Sequence, residues 1–431
     1  MMEHPYLLIL RQENVPALGC TEPAAAALAV AKAREALGRP VESLRLLVSG
    51  NVLKNAMGVG IPGSQQQGLK AAAALALAGG RSADGLEVLK SLTVAQKDEA
   101  RRIMQTGIIQ IMLAPQPEAL YIRAECAGGG EQAAAVILRE HSQIHRVERN
   151  GTVLWEAGNS PPESDGAPDH SALELSEIWS FVHSVPCGQL EFLRSGIAMN
   201  QAIAREGLRR RYGLGLGRML YGKADKTRDA AALAVAQAVS AADARMAGCP
   251  LPVMSTAGSG NQGIATILPA VFFAQQLGAE EEHVLRAVAL SQLVTLYAKQ
   301  YTGRLSCLCG AANAAAMGTA CAAVYLQGGG FDAMERAIQN MAADTAGVIC
   351  DGAKPGCALK LATGLQSAFR AAALAVDGIC VSGSEGIVHQ NAGQTIRNIG
   401  RLCTEGMNST DPVILQMMLA KQTVLQGQAG R

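Results

Sequence analysis

The chain is short of aromatic residues and of charge. Phe, Trp and Tyr make up 3% of its 431 residues, with only two Trp, and the four charged residue types together reach 17%. Because 37 Lys and Arg face 36 Asp and Glu, the formal net charge is +1. There is no excess of positive charge with which to hold nucleic acid or an anionic membrane. Absent too is a charged leader followed by an apolar run and a cleavage site, since MMEHPYLLILRQEN sets Glu3, Arg11 and Glu13 around a very short apolar stretch. A cytoplasmic protein is expected. The longest charge-free stretch, Gly310 to Gly330, mixes Asn, Thr and Gln with small residues and makes a poor membrane span.

What is plentiful is small and apolar. Hydrophobic residues reach 49%, 47 residues are Gly, and Ala dominates many segments. This composition buries a large core and opposes extensive disorder, and the length suits two or three domains. Close-packed helices of small residues leave room for something bulky between them. Eleven cysteines stand out. In a reducing compartment an odd count argues against a disulfide framework and leaves buried thiols, a metal site, a reactive cysteine, or a mixture.

Residues 24–38 predict a helix opened by Cys20-Thr21-Glu22-Pro23, with Thr21 as N-cap and an acid and a proline in the first turn. Val41–Ser49 alternates as a strand and runs into a Gly-rich loop over 50–63. The segment 85–157 reads as an α/β unit, with strands at Leu86–Val94 and Ala119–Cys126 and a helix at KDEARRIMQ between them. Ala135–Arg149 and Thr152–Glu156 form a hairpin about Asn150-Gly151. Residues 157–171 are rich in Pro, Gly, Ser and Asp, lack periodicity, and read as a linker. The expected class is therefore α+β: a mixed α/β domain over 1–171 with an N-terminal catalytic loop, then an all-α, Ala/Gly-rich domain over 172–431.

Three groups of residues have the chemistry for a site. Cys309, Cys350 and Cys357 each lie beside glycine or a turn, where backbone can approach an inorganic cluster closely. Thiolates suit iron–sulfur or zinc, but no compact CxxC pair is present, and Ala-rich cores also use Cys as a small apolar filler. Cys307 rivals Cys309 as a ligand. Cys20 precedes a helix N-terminus, where the dipole favours thiolate and would suit it as base or nucleophile; a buried cysteine before a cap is the plain alternative. Two Gly-rich loops, 49–63 and 254–266, offer backbone N–H groups to a carboxylate or phosphate, without matching a phosphate loop or a dinucleotide fingerprint. Lys54 and Arg304 are candidate cations for a substrate carboxylate. The seven histidines show no ligand spacing, and His141 and His145 fall in the expected strand.

Taken in order, ALGCTEPAA, SGNVLKNAMGVGIPG, STAGSGNQGI, GRLSCLCG, ICDGAKPGC and TIRNIGRLCTEGM resemble the L-cysteine desulfidase family, which is related to the alpha chain of iron–sulfur L-serine dehydratases. The likeness runs from about residue 15 to about residue 420. It implies an oxygen-sensitive four-iron, four-sulfur lyase, with one cluster per subunit, that splits L-cysteine into hydrogen sulfide, ammonia and pyruvate without pyridoxal phosphate. The family's three cluster cysteines match Cys309, Cys350 and Cys357, and its N-terminal cysteine matches Cys20. Gln262 stands where His is common, and Gln390, Asn391 and Ala392 where acids are frequent, which bears on substrate identity.

The resemblance implies a mechanism in which Cys20 is the base for the α-proton. Asn51, Lys54 and Asn55, with Ser259, Gly260 and Asn261, are then the candidates for holding the carboxylate and ammonium of a small zwitterionic amino acid. That arrangement requires the two domains to meet. A serine dehydratase and a non-catalytic iron–sulfur amino-acid sensor are the competing readings, and the Ala-rich helical surfaces suit a homodimer.

Overall fold

The computed structural model describes residues 3–116, 118, 120–157 and 170–429. Most of the expected linker, 158–169, lies outside these. Eight strands are present among them: β1 Pro16–Ala17, β2 Ser43–Val48, β3 Ile109–Leu113, β4 Tyr121–Gly128, β5 Glu131–Leu138, β6 Ile144–Arg149, β7 Thr152–Glu156 and β8 Val253–Met254. Six form a sheet in the order β3-β2-β4-β5-β6-β7, antiparallel throughout except for the parallel β2–β3 pair. One face is apolar, with Leu44, Leu46 and Val48 beside Ile122, Ala124 and Cys126. The Ala-rich helix Thr21–Leu37 covers it, backed by the helix Gly68–Gly79. The opposite face carries crossed ion pairs, Arg123 with Glu125 at 2.7 Å and with Glu148 at 3.0 Å. One apolar face and one wet face is the normal state of an antiparallel sheet packed on helices.

The helical half forms a second core. Its central helices, Gly260–Gln276, Glu281–Thr302 and Ala314–Leu326, are apolar nearly all round and buried for most of their length. Small residues let the backbones touch. A side chain at Gly318 would run into the Ser291 carbonyl of the neighbouring helix, so glycine is required there. Both chain ends cross over: Tyr6, Leu7, Ile9 and Leu10 of the helix Pro5–Glu13 belong to the helical core, whereas Leu415 of the final helix Thr410–Ala429 belongs to the sheet core.

The α+β class is the observed one. The turn at Asn150-Gly151, with φ of 49° and 79°, joins β6 to β7 as expected. Four local expectations differ. Leu86–Val94 is not a strand: Ser82–Glu87 is a short 3₁₀ turn, and Val88 and Leu92, four apart, are the residues it buries. Residues 88–91 form a turn that leads to the helix beginning at Val94, so no run of alternating residues is left to make a strand. Residues 50–56 are a short helix, not loop. Ala135–Arg149 holds the end of β5, a turn and β6, so His141 sits in a turn. Cys20, not Thr21, is the N-cap residue of the first long helix, with extended φ and ψ of −98° and 142°.

Candidate functional site

The two halves are stitched together around Cys20. β1 pairs with β8, placing Pro16 opposite Met254 and Ala17 opposite Val253. In the 60–63 loop, Gly60 N–H donates to the Met246 carbonyl and Gly63 N–H to the Gly248 carbonyl, each at 3.0 Å. Cys20 therefore lies where the helix Thr21–Leu37 starts and where the helix Ala230–Met246 ends. It is 6% exposed, and it shares a small apolar cluster with Val59 and Met246, against which Ala353 and Cys357 pack.

Arg245 is the cation of this neighbourhood. Its guanidinium donates to the Gly19 carbonyl at 2.8 Å and to Asn261 Oδ1 at 3.0 Å. It also reaches the Cys20 thiol, and Nε has no partner among the described residues. The Cys20 thiol is nevertheless pushed up to about 11: burial raises it most, Arg245 pulls it back, and Glu22 and Cys357 raise it further. The expected thiolate at a helix N-terminus is thus overridden by desolvation. Cys20 also forms part of the wall of a cavity of about 240 Å³, with Leu18, Ile61, Leu89, Lys97 and Pro252.

Cys309, Cys350 and Cys357 come together on the other side of Cys20. Cys309 N–H donates to the Val348 carbonyl at 2.9 Å and Cys350 N–H to the Cys307 carbonyl at 2.7 Å, so these two segments run side by side. Cys357 opens the helix Cys357–Val376, its thiol 3.5 Å from the Gly352 carbonyl. Burial pushes the Cys309 thiol up to about 11, and nearby Cys350 and Cys357 contribute. Burial likewise raises Cys357. Among the described residues no three His, Cys, Asp or Glu side chains converge as they would on a single ion. Cys307 is engaged elsewhere, its sulfur 3.3 Å from that of Cys403, and burial and Cys403 push it up to about 12.

The other expected residues are distributed as follows. Lys54 is 3% exposed and its ammonium pairs with Asp411 at 2.7 Å, which takes up the charge assigned to a substrate carboxylate. Asn55 donates to Glu22, two residues beyond Cys20, at 3.0 Å. Asn51 is half-buried on the same short helix. Ser259 is the N-cap residue of Gly260–Gln276 and Gly260 lies against the Arg245 guanidinium, where a side chain would collide. Asn261 is held by Arg245 and donates toward the Met246 sulfur at 3.4 Å. Gly260 and Asn261 thus belong to the Arg245 network behind Cys20. Arg304 binds the buried Glu13 at 3.0 Å.

Four residues of this region went unused in the sequence reasoning or were set aside by it. Arg245 is the single basic residue of its buried helix and Lys299 shares its buried helix with Arg286, a pattern of basic residues in apolar stretches that could have flagged them. Lys299 is depressed to about 8 by burial, an effect that nearby Cys403, Cys350 and Cys309 oppose. Gln262 is 3% exposed, and its Oε1 has no partner among the described residues and faces Gly310, beside Cys309. His141 faces Glu22 and Arg304; burial holds it below the usual histidine range, Glu22 opposes this and Arg304 adds to it. Its turn brings it there from the sheet, which periodicity does not reveal.

The described residues include no helix long and apolar enough to cross a membrane. Residues 83–416 match the family model for the serine dehydratase alpha chain. A UPF0597 protein of Oleidesulfovibrio alaskensis is 42% identical over 420 residues, covering 97% of this chain and 98% of that one. A UPF0597 protein of Aeromonas hydrophila is 42% identical over 429 residues, covering 98% and 97%. A third, from Bacteroides fragilis, is 41% identical over 419 residues, covering 96% and 97%. The chain belongs to the serine dehydratase alpha-chain family, whose members are lyases of the dehydratase type.

Proposed function

We propose that this protein is an iron–sulfur-dependent, pyridoxal-phosphate-independent lyase that converts L-cysteine to hydrogen sulfide, ammonia and pyruvate. The observation that carries the reading is the packing of Cys20 against Cys357 in one apolar cluster, which sets a candidate base beside a candidate ligand. The donor set has the chemistry of an iron–sulfur site: three half-buried thiols, each within electrostatic reach of another. Cys309, Cys350 and Cys357 would hold a four-iron, four-sulfur cluster, which supplies, when bound, a Lewis-acidic iron for the leaving group.

Within this reading Cys20 takes the proton from Cα. The electron pair released forms the Cα–Cβ double bond as sulfide departs from Cβ, and the resulting enamine tautomerises and takes up water to give pyruvate and ammonia. Burial makes Cys20 a stronger base once deprotonated, and Arg245 stabilises the anion so formed. Arg245 in turn is held by Asn261 and the Gly19 carbonyl, so the base is positioned from both halves of the molecule. The site selects a small zwitterion in a cytoplasmic setting. The family's serine dehydratase description favours a second reading, in which L-serine loses hydroxide in the same geometry.

The test is anaerobic loading with iron and sulfide, followed by assay of sulfide from L-cysteine and pyruvate from both amino acids. Sulfide release supports the first reading, and pyruvate from serine alone supports the second. Bound iron with neither product overturns both and leaves a sensor.

A further inference from the structure

Two lysines are buried among the described residues, and only one of them has an acid. Lys54, 3% exposed, pairs with Asp411 at 2.7 Å. The ammonium of Lys299, 7% exposed, has neither an ion pair nor a hydrogen bond among the described residues. Apart from burial, the groups that act on it most strongly are sulfurs, those of Cys403, Cys350 and Cys309. Burial depresses it to about 8 and these thiols oppose that, so it is a cation at neutral pH. An ammonium taken out of water without a counter-charge is among the costliest groups in a protein interior.

Its place in the fold shows where a counter-charge would come from. Lys299 lies in the last turn of the helix Glu281–Thr302 and lines a small cavity with Thr302, Ser306, Leu308, Gly310 and Asn313. That wall is the loop that carries Cys309, flanked by Leu308 and Gly310. Asn313 Nδ2 pins the loop by donating to the Cys309 and Val348 carbonyls, each at 3.1 Å. Leu308 also bridges to Ile349, next to Cys350. The cavity measures about 20 Å³, room for about one water, so solvent does little to screen the charge. A second buried polar group stands at the same loop, the Gln262 Oε1, which has no partner among the described residues and faces Gly310.

We infer that Lys299 is a positioning residue for the iron–sulfur group, the fixed cation that offsets the negative charge gathered at Cys309, Cys350 and Cys357 and raises the group's reduction potential. The inference rests on the iron–sulfur reading above and goes beyond it by naming what tunes the group. A four-iron, four-sulfur core on three thiolates is an anion overall, and reduction makes it more negative. A cation held nearby in a poorly solvated setting stabilises the reduced form more than the oxidised one. Loading in turn supplies the ammonium with the counter-charge it lacks in the metal-free chain.

The test compares the full-length wild type with Lys299→Met, close in shape but uncharged, and with Lys299→Arg, which keeps the charge. After anaerobic loading with iron and sulfide, Lys299→Met is expected to hold less of both than wild type. What it holds should reduce at a lower midpoint potential in a dithionite titration followed by electron paramagnetic resonance. Lys299→Arg should restore the potential. Without iron, the urea midpoint of Lys299→Met should equal or exceed that of wild type, because an uncompensated charge has been removed; loading should then raise the wild-type midpoint more than that of the variant. Wild-type iron content at the wild-type potential in Lys299→Met overturns the inference and leaves the iron–sulfur reading standing. A metal-free Lys299→Met chain less stable than wild type, or unfolded, also overturns it, since the ammonium would then have a partner without the cluster. Wild-type protein that takes up no iron overturns the iron–sulfur reading itself, and the role of Lys299 falls with it.

Discussion

The Lys54 ammonium lies 2.7 Å from the carboxylate of Asp411, a residue 357 positions further along the chain. Lys54 is on the short helix Gly50–Ala56 of the sheet half, and Asp411 is in the first turn of the final helix. The pair therefore fastens the chain's last helix to the sheet core, where Leu415 packs. A buried ammonium without its acid is left desolvated and unpaired.

Asp411→Ala is accordingly expected to destabilise the protein by about 1–3 kcal/mol, read from the urea midpoint. Lys54→Met removes the charge together with its desolvation cost and should cost less. If Lys54 instead holds the substrate carboxylate, Lys54→Met will raise KM by tenfold or more with the urea midpoint little changed. Measuring both quantities on both variants separates an anchor from a ligand.

The fold class, the helix at 97–105, the strand that begins near 120 and the Asn150-Gly151 turn were legible because each rests on local chemistry: propensity, alternation and a turn that demands positive φ. Leu86–Val94 misled because its apolar residues sit in a turn between a 3₁₀ turn and a helix, where Val88 and Leu92 are buried without any strand pairing. Within the site, the approach of Cys20 to Cys357 was anticipated only as a requirement of the family mechanism. The partners that occupy Lys54, Arg304 and Cys307 were not legible, since Asp411, Glu13 and Cys403 each lie at least 96 residues away. Arg245 was hidden for a related reason, because its role follows from where its helix ends rather than from any motif.

Arg245 should act on the reaction through Cys20. Cys20→Ala is expected to abolish sulfide release with iron content unchanged. Arg245→Met leaves the base in place but removes the cation beside it, so the thiol should titrate higher still. The expected signature is a loss of about tenfold or more in kcat at neutral pH with the rising limb of the pH profile displaced upward. Iodoacetamide labelling of Cys20 against pH reads the same shift without turnover. An unchanged labelling profile would remove Arg245 from this role.

The raised thiols also set a pH dependence of stability. Cys20 and Cys126 are pushed from the ordinary 9.0 to about 11 and about 12, in both cases chiefly by burial. Between those values the folded chain keeps protons that the unfolded chain has lost. Stability contributed by these groups is therefore fully present below about pH 9 and falls as pH rises toward 11 and 12. Urea midpoints of the cluster-free protein should decline across that window, and Cys126→Ala should flatten part of the decline. A midpoint flat from pH 8 to 11 would contradict the burial of these thiols.

Cys307 and Cys350 should behave differently on substitution although both lie beside Cys309. Cys350 runs next to the Cys309 segment, and its charge is felt by the Cys309 thiol. The sulfur of Cys307 instead meets Cys403 at 3.3 Å and the Cys403 carbonyl at 3.7 Å. Cys350→Ser is thus expected to lose most of the iron and acid-labile sulfide of an anaerobically loaded protein, because a hydroxyl is a poor replacement for thiolate at iron. Cys307→Ser should retain both and cost stability only. A serine in that place meets Cys403 with a smaller, more polar atom in a tightly packed setting, worth about 1–2 kcal/mol. Iron loss in Cys307→Ser with full retention in Cys309→Ser would reverse the ligand assignment, and metal content measured on the three purified variants decides it.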